Sequence, residues 1–168
     1  MPAAAAAGVG TECVDPPVPT SLRTGRVTEI TDGDTIRMQL LGGQTVERVR
    51  LIGIDSPEQY PSEKLDRDAA RTGRSREALQ ELGRRATAYA ERTLADQVVG
   101  LSFDAEPRDR YRRLLAYVWL QRGALFNRLI VADGYAQVLT VPPNVRYAGL
   151  FLACQREARK HRRGLWGR

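Results

Sequence analysis

Residues 23–58, RTGRVTEITDGDTIRMQLLGGQTVERVRLIGIDSPE, decide the fold. Asp32-Gly33 is a dipeptide that favours a tight hairpin turn, and it separates Gly25–Thr31 from Thr35–Leu41. In the second segment Ile36, Met38 and Leu40 alternate with Thr35, Arg37 and Gln39, the period of a strand with one buried face. Leu41-Gly42-Gly43 makes another turn, and Gln44 to Ile54 a third strand. The domain therefore opens as a three-stranded antiparallel meander.

Working outward, residues 59–74 are polar and read as a loop. Leu79, Leu82, Ala86, Ala90 and Leu94 recur at steps of three and four, which predicts a helix from Ser75 to Ala95. Val98–Asp104 and Tyr111–Leu120 read as strands, Ala124–Asp133 as a helix stopped by Gly134, and Val145–His161 as a last helix closed by Gly164. This order fits an α+β, mainly β fold. It is a five-stranded barrel of the oligonucleotide-binding (OB) type, with one helix between strands 3 and 4 and two C-terminal helices. Residues 1–21, with an alanine run and four prolines, read as a flexible tail, and residues 22–168 as a single domain.

Composition narrows the chemistry. The chain has 168 residues with 42% hydrophobic content, enough for one core and hardly for two domains. No apolar run approaches the roughly 20 residues of a membrane span. One histidine (His161) and two cysteines (Cys13, Cys154) exclude zinc-finger sites and any mechanism that needs two histidines. The net charge is +6, and Lys64 and Lys160 are the only lysines. Arginine's planar fork matches phosphate oxygens, so the balance points to polyanions. The excess sits in residues 146–168, where seven cations face Glu157 alone. Arg156, Arg159, Arg162 and Arg163 there are expected to hold polymeric substrate, the alternative being a solvated helix face. Cys13 and Cys154 either pair, if the protein is exported, or remain a buried thiol and an incidental one.

Polar residues that interrupt the strands carry the chemistry. Asp32 and Asp34 bracket the first turn, Asp55, Ser56 and Glu58 end the third strand, and Arg110, Arg112 and Arg113 crowd the start of the fifth. Gathered carboxylates and carbonyls suit a hard cation, and forked arginines beside them suit phosphodiester cleavage. Each piece also has a plainer reading, as a hairpin turn, a loop start or a charge-blunted edge. Arg50 and Asp55 are an odd number of residues apart, so a regular strand would point them to opposite faces. A bulge or a strand end must intervene if they share a site.

The strings Thr31-Asp32-Gly33-Asp34-Thr35, Arg50-Leu51-Ile52-Gly53-Ile54-Asp55-Ser56-Pro57-Glu58 and Asp109-Arg110-Tyr111-Arg112-Arg113-Leu114-Leu115-Ala116-Tyr117 closely resemble the staphylococcal nuclease (thermonuclease) family. Leu125-Phe126-Asn127, Gly134-Tyr135-Ala136, Pro143-Asn144 and Arg163-Gly164-Leu165-Trp166 extend the likeness across about Arg23 to Trp166. Three separated motifs in order are far more specific than any one of them.

The resemblance implies that Asp34 and Asp55 ligate Ca²⁺ together with the Ser56 carbonyl, serine standing where the family usually has threonine. It implies that Glu58 positions or activates water, that Arg50 and Arg113 bind phosphate, and that Arg110 and Tyr111 lie near the nucleotide. Arg112 replaces a usual glycine and either alters the backbone or adds a phosphate contact. Val138 to Pro142 lacks the tyrosines that pack on the nucleotide in the best-known member, and residues 59–74 exceed the corresponding loop. The expected protein is a secreted or periplasmic, monomeric, Ca²⁺-dependent nuclease that cuts DNA and RNA to leave 3′-phosphate ends. The alternative is a non-catalytic nucleic-acid-binding module of the same barrel type.

Overall fold

The computed structural model describes residues 12–167. Five strands form a closed barrel in the order β1 (Arg23–Ile30), β2 (Thr35–Leu40), β3 (Val46–Leu51), β6 (Leu114–Trp119), β5 (Val98–Ser102). All neighbours are antiparallel except β3 and β6, which run parallel. The expected α+β barrel is therefore present. The alternation in β2 holds, with Ile36, Met38 and Leu40 buried and Arg37 and Gln39 exposed. Val27, Val49, Leu51, Leu101, Ala116 and Val118 complete the interior and are at most 1% exposed. Sheet geometry alone sends these side chains inward, and the area they remove from water is the main driving force for closure.

One of the expected strands divides and another is shortened. The third strand stops at Leu51, and a tight turn at Ile52-Gly53 leads into β4 (Ile54–Asp55), which pairs with β7 (Gln137–Val138) outside the barrel. Gly53 has φ +81°, and a Cβ there would meet the Phe151 ring at 2.6 Å, so the position requires glycine twice over. The fifth strand begins at Leu114 rather than Tyr111, because residues 109–113 form a turn with Arg112 N–H donating to the Asp109 carbonyl.

The reading of 59–74 as loop is corrected. Two helices lie between β4 and β5: α1 (Glu63–Thr72) and α2 (Arg76–Leu94). Ser62 caps α1 by accepting from Leu65 N–H, Glu63 and Asp66 sit in its first turn, and Gly73 closes it in the left-handed conformation. Leu65 is its only buried residue and packs on Leu79 and Leu82 of α2 with Ala69 beside it, so α1 is amphipathic but carries few apolar residues. Capping and one anchor hold it.

Two C-terminal helices follow, α3 (Phe126–Ala132) and α4 (Ala148–Lys160), and a 3₁₀ turn at Gly164–Trp166 folds back on the body. Leu165 N–H donates to the Gly134 carbonyl, which ties the chain end to the α3 exit. Asn127 of α3 is fully buried, accepts from Val118 N–H of β6 and donates to the Ile52 carbonyl at the β3–β4 turn. It thereby satisfies backbone groups that the turn leaves unpaired.

The tail expected over 1–21 is described from Glu12 on, and there it is fastened twice. Cys13 forms a disulfide with Cys154 of α4, which decides the cysteine question, and Asp15 accepts from Leu125 N–H and pairs with Arg128 at 2.7 Å. The bridge spans 141 residues. Removing so long a cross-link through the Cys13→Ser/Cys154→Ala pair should lower the unfolding free energy by about 2–5 kcal/mol. Urea titration with intact α4 helicity checks this, and an unchanged midpoint would show that the bridge contributes nothing.

Candidate active site

The site is built where β2, the β3–β4 turn and α1 meet. Thr35 faces Arg50 across the β2–β3 ladder, which places Asp34 at the mouth of the barrel. Asp34 is buried, and its carboxylate accepts from the Ser56 N–H at 2.9 Å, the Ser56 hydroxyl at 3.2 Å and the Thr35 hydroxyl at 2.9 Å. Burial works against its charge, but Arg50 and these donors outweigh it and hold the carboxyl below the ordinary carboxylate range. Beside it, burial and then the Asp34 charge push Asp32 up to about 7.

Arg50 and Asp55 do share this site, because the turn at Ile52-Gly53 breaks the strand between them. Arg50 Nε lies 3.6 Å from Asp34 and its Nη2 3.8 Å from Asp55, while Nη1 donates to the Leu51 carbonyl at 2.8 Å. Gln137 of β7, register partner of Asp55, donates to the other Asp55 oxygen at 3.2 Å. Glu58 lies on the segment after β4, held there by the close approach of α2. A Cβ on Gly83 would strike the Glu58 carbonyl oxygen at 2.7 Å, so only glycine lets the helix lie so near.

One residue in this cluster has no precedent in the sequence reading. Lys64 of α1 donates to the Ser56 carbonyl at 2.8 Å, and its ammonium lies 3.0 Å from Asp55 and 3.2 Å from Glu58. Burial opposes its charge, yet the Asp55 and Glu58 carboxylates prevail and hold it above its ordinary value. The signal that could have found it was its rarity, one of two lysines among 24 arginines, set behind a Ser-Glu cap. Among the described residues no three acidic or other ligating side chains converge closely enough to cage an ion unaided. The oxygens of Asp55, Ser56 and Glu58 converge instead on this ammonium.

A groove of about 410 Å³ runs beside the acidic cluster, and Arg50, Arg110, Arg113, Leu139 and Asn144 help to line it. Its size suits a nucleotide-sized ligand. Asp109, also missed, holds Arg113 there by accepting from its backbone N–H at 3.0 Å and its Nε at 2.8 Å. Arg110 stacks 4.8 Å over the Tyr111 ring and donates to its hydroxyl, and Tyr111 is half exposed. Arg112 is exposed and absent from the groove lining. Of the four C-terminal arginines expected to hold substrate, Arg163 donates to the Ala132 carbonyl and Arg159 stacks 4.3 Å over Trp166. Arg163 is half-buried, whereas Arg156, Arg159 and Arg162 are exposed.

A buried, cation-balanced acidic pair joined through Arg50 to an arginine-lined groove of an OB-type barrel suits a phosphodiester-cleaving enzyme. Comparison with known proteins agrees. The family model for staphylococcal nuclease homologues matches residues 48–168. Over 142 residues the chain is 37% identical to a thermonuclease of Staphylococcus intermedius, spanning 84% of this chain and 75% of that one. It is 32% identical over 144 residues to a thermonuclease of Staphylococcus hyicus, covering 86% and 76% respectively. An uncharacterized endonuclease of Escherichia coli is 30% identical over 146 residues, covering 84% and 76%. The chain belongs to the staphylococcal nuclease family and is a nuclease, a hydrolase.

The glycine that the family usually has in place of Arg112 now has a physical explanation. Arg112 sits at φ +64°, a left-handed conformation that costs a side-chain-bearing residue roughly 1–2 kcal/mol. Arg112→Gly should recover part of this after the glycine entropy cost, a net gain of about 0.5–1 kcal/mol in urea denaturation. The cleavage rate should stay within a few-fold. A loss of stability would mean that the arginine side chain supports the turn.

Proposed function

We propose that this nuclease hydrolyses DNA and RNA in a Ca²⁺-dependent reaction of low sequence preference, leaving 3′-phosphate ends. The observation that carries the reading is the double placement of Arg50, which touches both Asp34 and Asp55 and also lines the groove that holds Arg113. One side chain thus links the acidic cluster to the place where a phosphate would lie.

The donor set suits calcium in chemistry. Asp34, Asp55 and the Ser56 carbonyl offer hard oxygens, and a cation, the Lys64 ammonium, already rests on two of these groups. Held by those three residues, the ion would supply positive charge to the phosphate and polarise it toward attack. Arg50 and Arg113 each present a planar fork to the phosphate oxygens and stabilise the charge that builds on them in the transition state. Asp109 keeps the Arg113 fork aimed. Glu58 takes a proton from the attacking water as its oxygen forms the new bond to phosphorus. The bond to the 5′ oxygen breaks, that oxygen takes a proton from solvent water, and Glu58 returns its proton to solvent, so the phosphate stays on the 3′ side. Tyr111 and Arg110 offer a stacking surface at the rim for a flanking base.

Work outside the reducing cytosol suits the disulfide. A disulfide persists in oxidising compartments, and no helix among the described residues is long and apolar enough to cross a membrane.

Incubation of single- and double-stranded DNA and of RNA with Ca²⁺, with Mg²⁺ or with chelator tests the reading. Cleavage is expected with Ca²⁺ and little with Mg²⁺, which demands a more rigid octahedral shell. Full activity in Mg²⁺ with Ca²⁺ chelated would overturn the calcium assignment. Binding without cleavage under every condition would favour the non-catalytic module instead.

Glu58→Gln and Arg113→Ala should each lower kcat by at least roughly a hundredfold while circular dichroism stays native, since each removes help given only in the transition state. A near-normal rate in either variant at saturating substrate would unseat that residue.

A further inference from the structure

We propose that Lys64 is an internal cation of the acidic site, seated there when no metal is bound and expelled when a divalent ion enters. The inference rests on the calcium reading above. Here the ammonium donates to the Ser56 carbonyl at 2.8 Å and forms ion pairs with Asp55 at 3.0 Å and Glu58 at 3.2 Å. Two of these groups are the ones assigned to the ion and the third is the proposed base. Calcium takes oxygens at about 2.3–2.6 Å, so ion and ammonium cannot share Asp55 and the Ser56 carbonyl at such distances without strong mutual repulsion.

The arrangement is built to let go. Asp68 lies one helical turn beyond Lys64 on α1, with its carboxylate 3.9 Å from the ammonium. A side-chain rotation therefore brings the charge to Asp68, whose other carboxylate oxygen already pairs with Arg71 at 3.3 Å, without unfolding the helix. Lys64 is more exposed than the acid it neutralises, 28% against 12% for Asp55, so the route out leads to solvent. While Lys64 is seated, Glu58 is tied up and the metal-binding oxygens are occupied. The protein is then latent until the ion concentration suffices to displace its lysine.

Two measurements made without nucleic acid test this. Calorimetric titration should give a Ca²⁺ Kd at least tenfold lower for Lys64→Met than for the unaltered protein, because the competitor is gone. Removing a nearby positive charge would also tighten binding without any displacement, and the second measurement separates the two. Lys64 and Lys160 are the only lysines, so amine acylation followed by mass spectrometry reports on each by itself. In the unaltered protein saturating Ca²⁺ should raise the Lys64 labelling rate several-fold and leave Lys160 unchanged. Equal affinities, or a Lys64 rate indifferent to saturating Ca²⁺, overturn the proposal and leave the calcium reading in place. No binding heat with either protein overturns both. The labelling needs no variant, so a poorly folded Lys64→Met does not compromise it.

Discussion

The parallel pairing of β3 with β6 is the constraint on which the rest of the molecule depends. Val49, Arg50 and Leu51 lie in register with Leu114, Leu115 and Ala116, and this ladder closes the barrel between strands far apart in the chain. It also sets Arg50 opposite Leu115, two residues from Arg113, so that the end of one strand and the entry to the other share a groove. Parallel neighbours need a long crossover, and α1, α2 and β5 lie along it. The helix that brings Lys64 to the site is thus part of the connection that the ladder requires.

Electrostatics then dictates the inner details. Asp34 and Asp55 are nearly buried, and two desolvated carboxylates side by side are costly unless cations and donors compensate. Arg50 spans both, the Ser56 N–H and hydroxyl and the Thr35 hydroxyl saturate Asp34, and Lys64 and Gln137 satisfy Asp55. The two buried carboxylates are thereby balanced by two cations, the Arg50 guanidinium and the Lys64 ammonium. The same logic appears at Asp109, whose carboxylate takes both the backbone and side-chain N–H groups of Arg113.

The places where sequence reasoning failed share one cause. Alternation in Thr35–Leu40 and the spacing of Leu79, Leu82, Ala86, Ala90 and Leu94 report burial of a regular face, and both elements formed as expected. Helix α1 buries only Leu65 and is otherwise so polar that it passes for a loop, although Ser62 and Gly73 mark its two ends. The basic character of the last helix was legible, but not that Arg159 would stack on Trp166 or that Arg163 would donate to a backbone carbonyl. Composition counts charges and cannot tell a stacked or capping guanidinium from a free one.

The sequence by itself determined the strands, the long helix and the acids and arginines at the strand ends, because local periodicity, turn dipeptides and motif spacing are written in neighbouring residues. Only the tertiary structure decided that Cys13 meets Cys154, that the strand breaks at Gly53 so Arg50 reaches Asp55, and that Lys64 enters the acidic cluster. A pattern of period two or 3.6 tells a side chain which face to take and says nothing of which distant face it will meet. The left-handed turn at Arg112 belongs with these, since the 109–113 turn, closed by Arg112 N–H donating to the Asp109 carbonyl and by the Asp109 carboxylate accepting from Tyr111 and Arg113 N–H, sets that conformation and the arginine bears its cost.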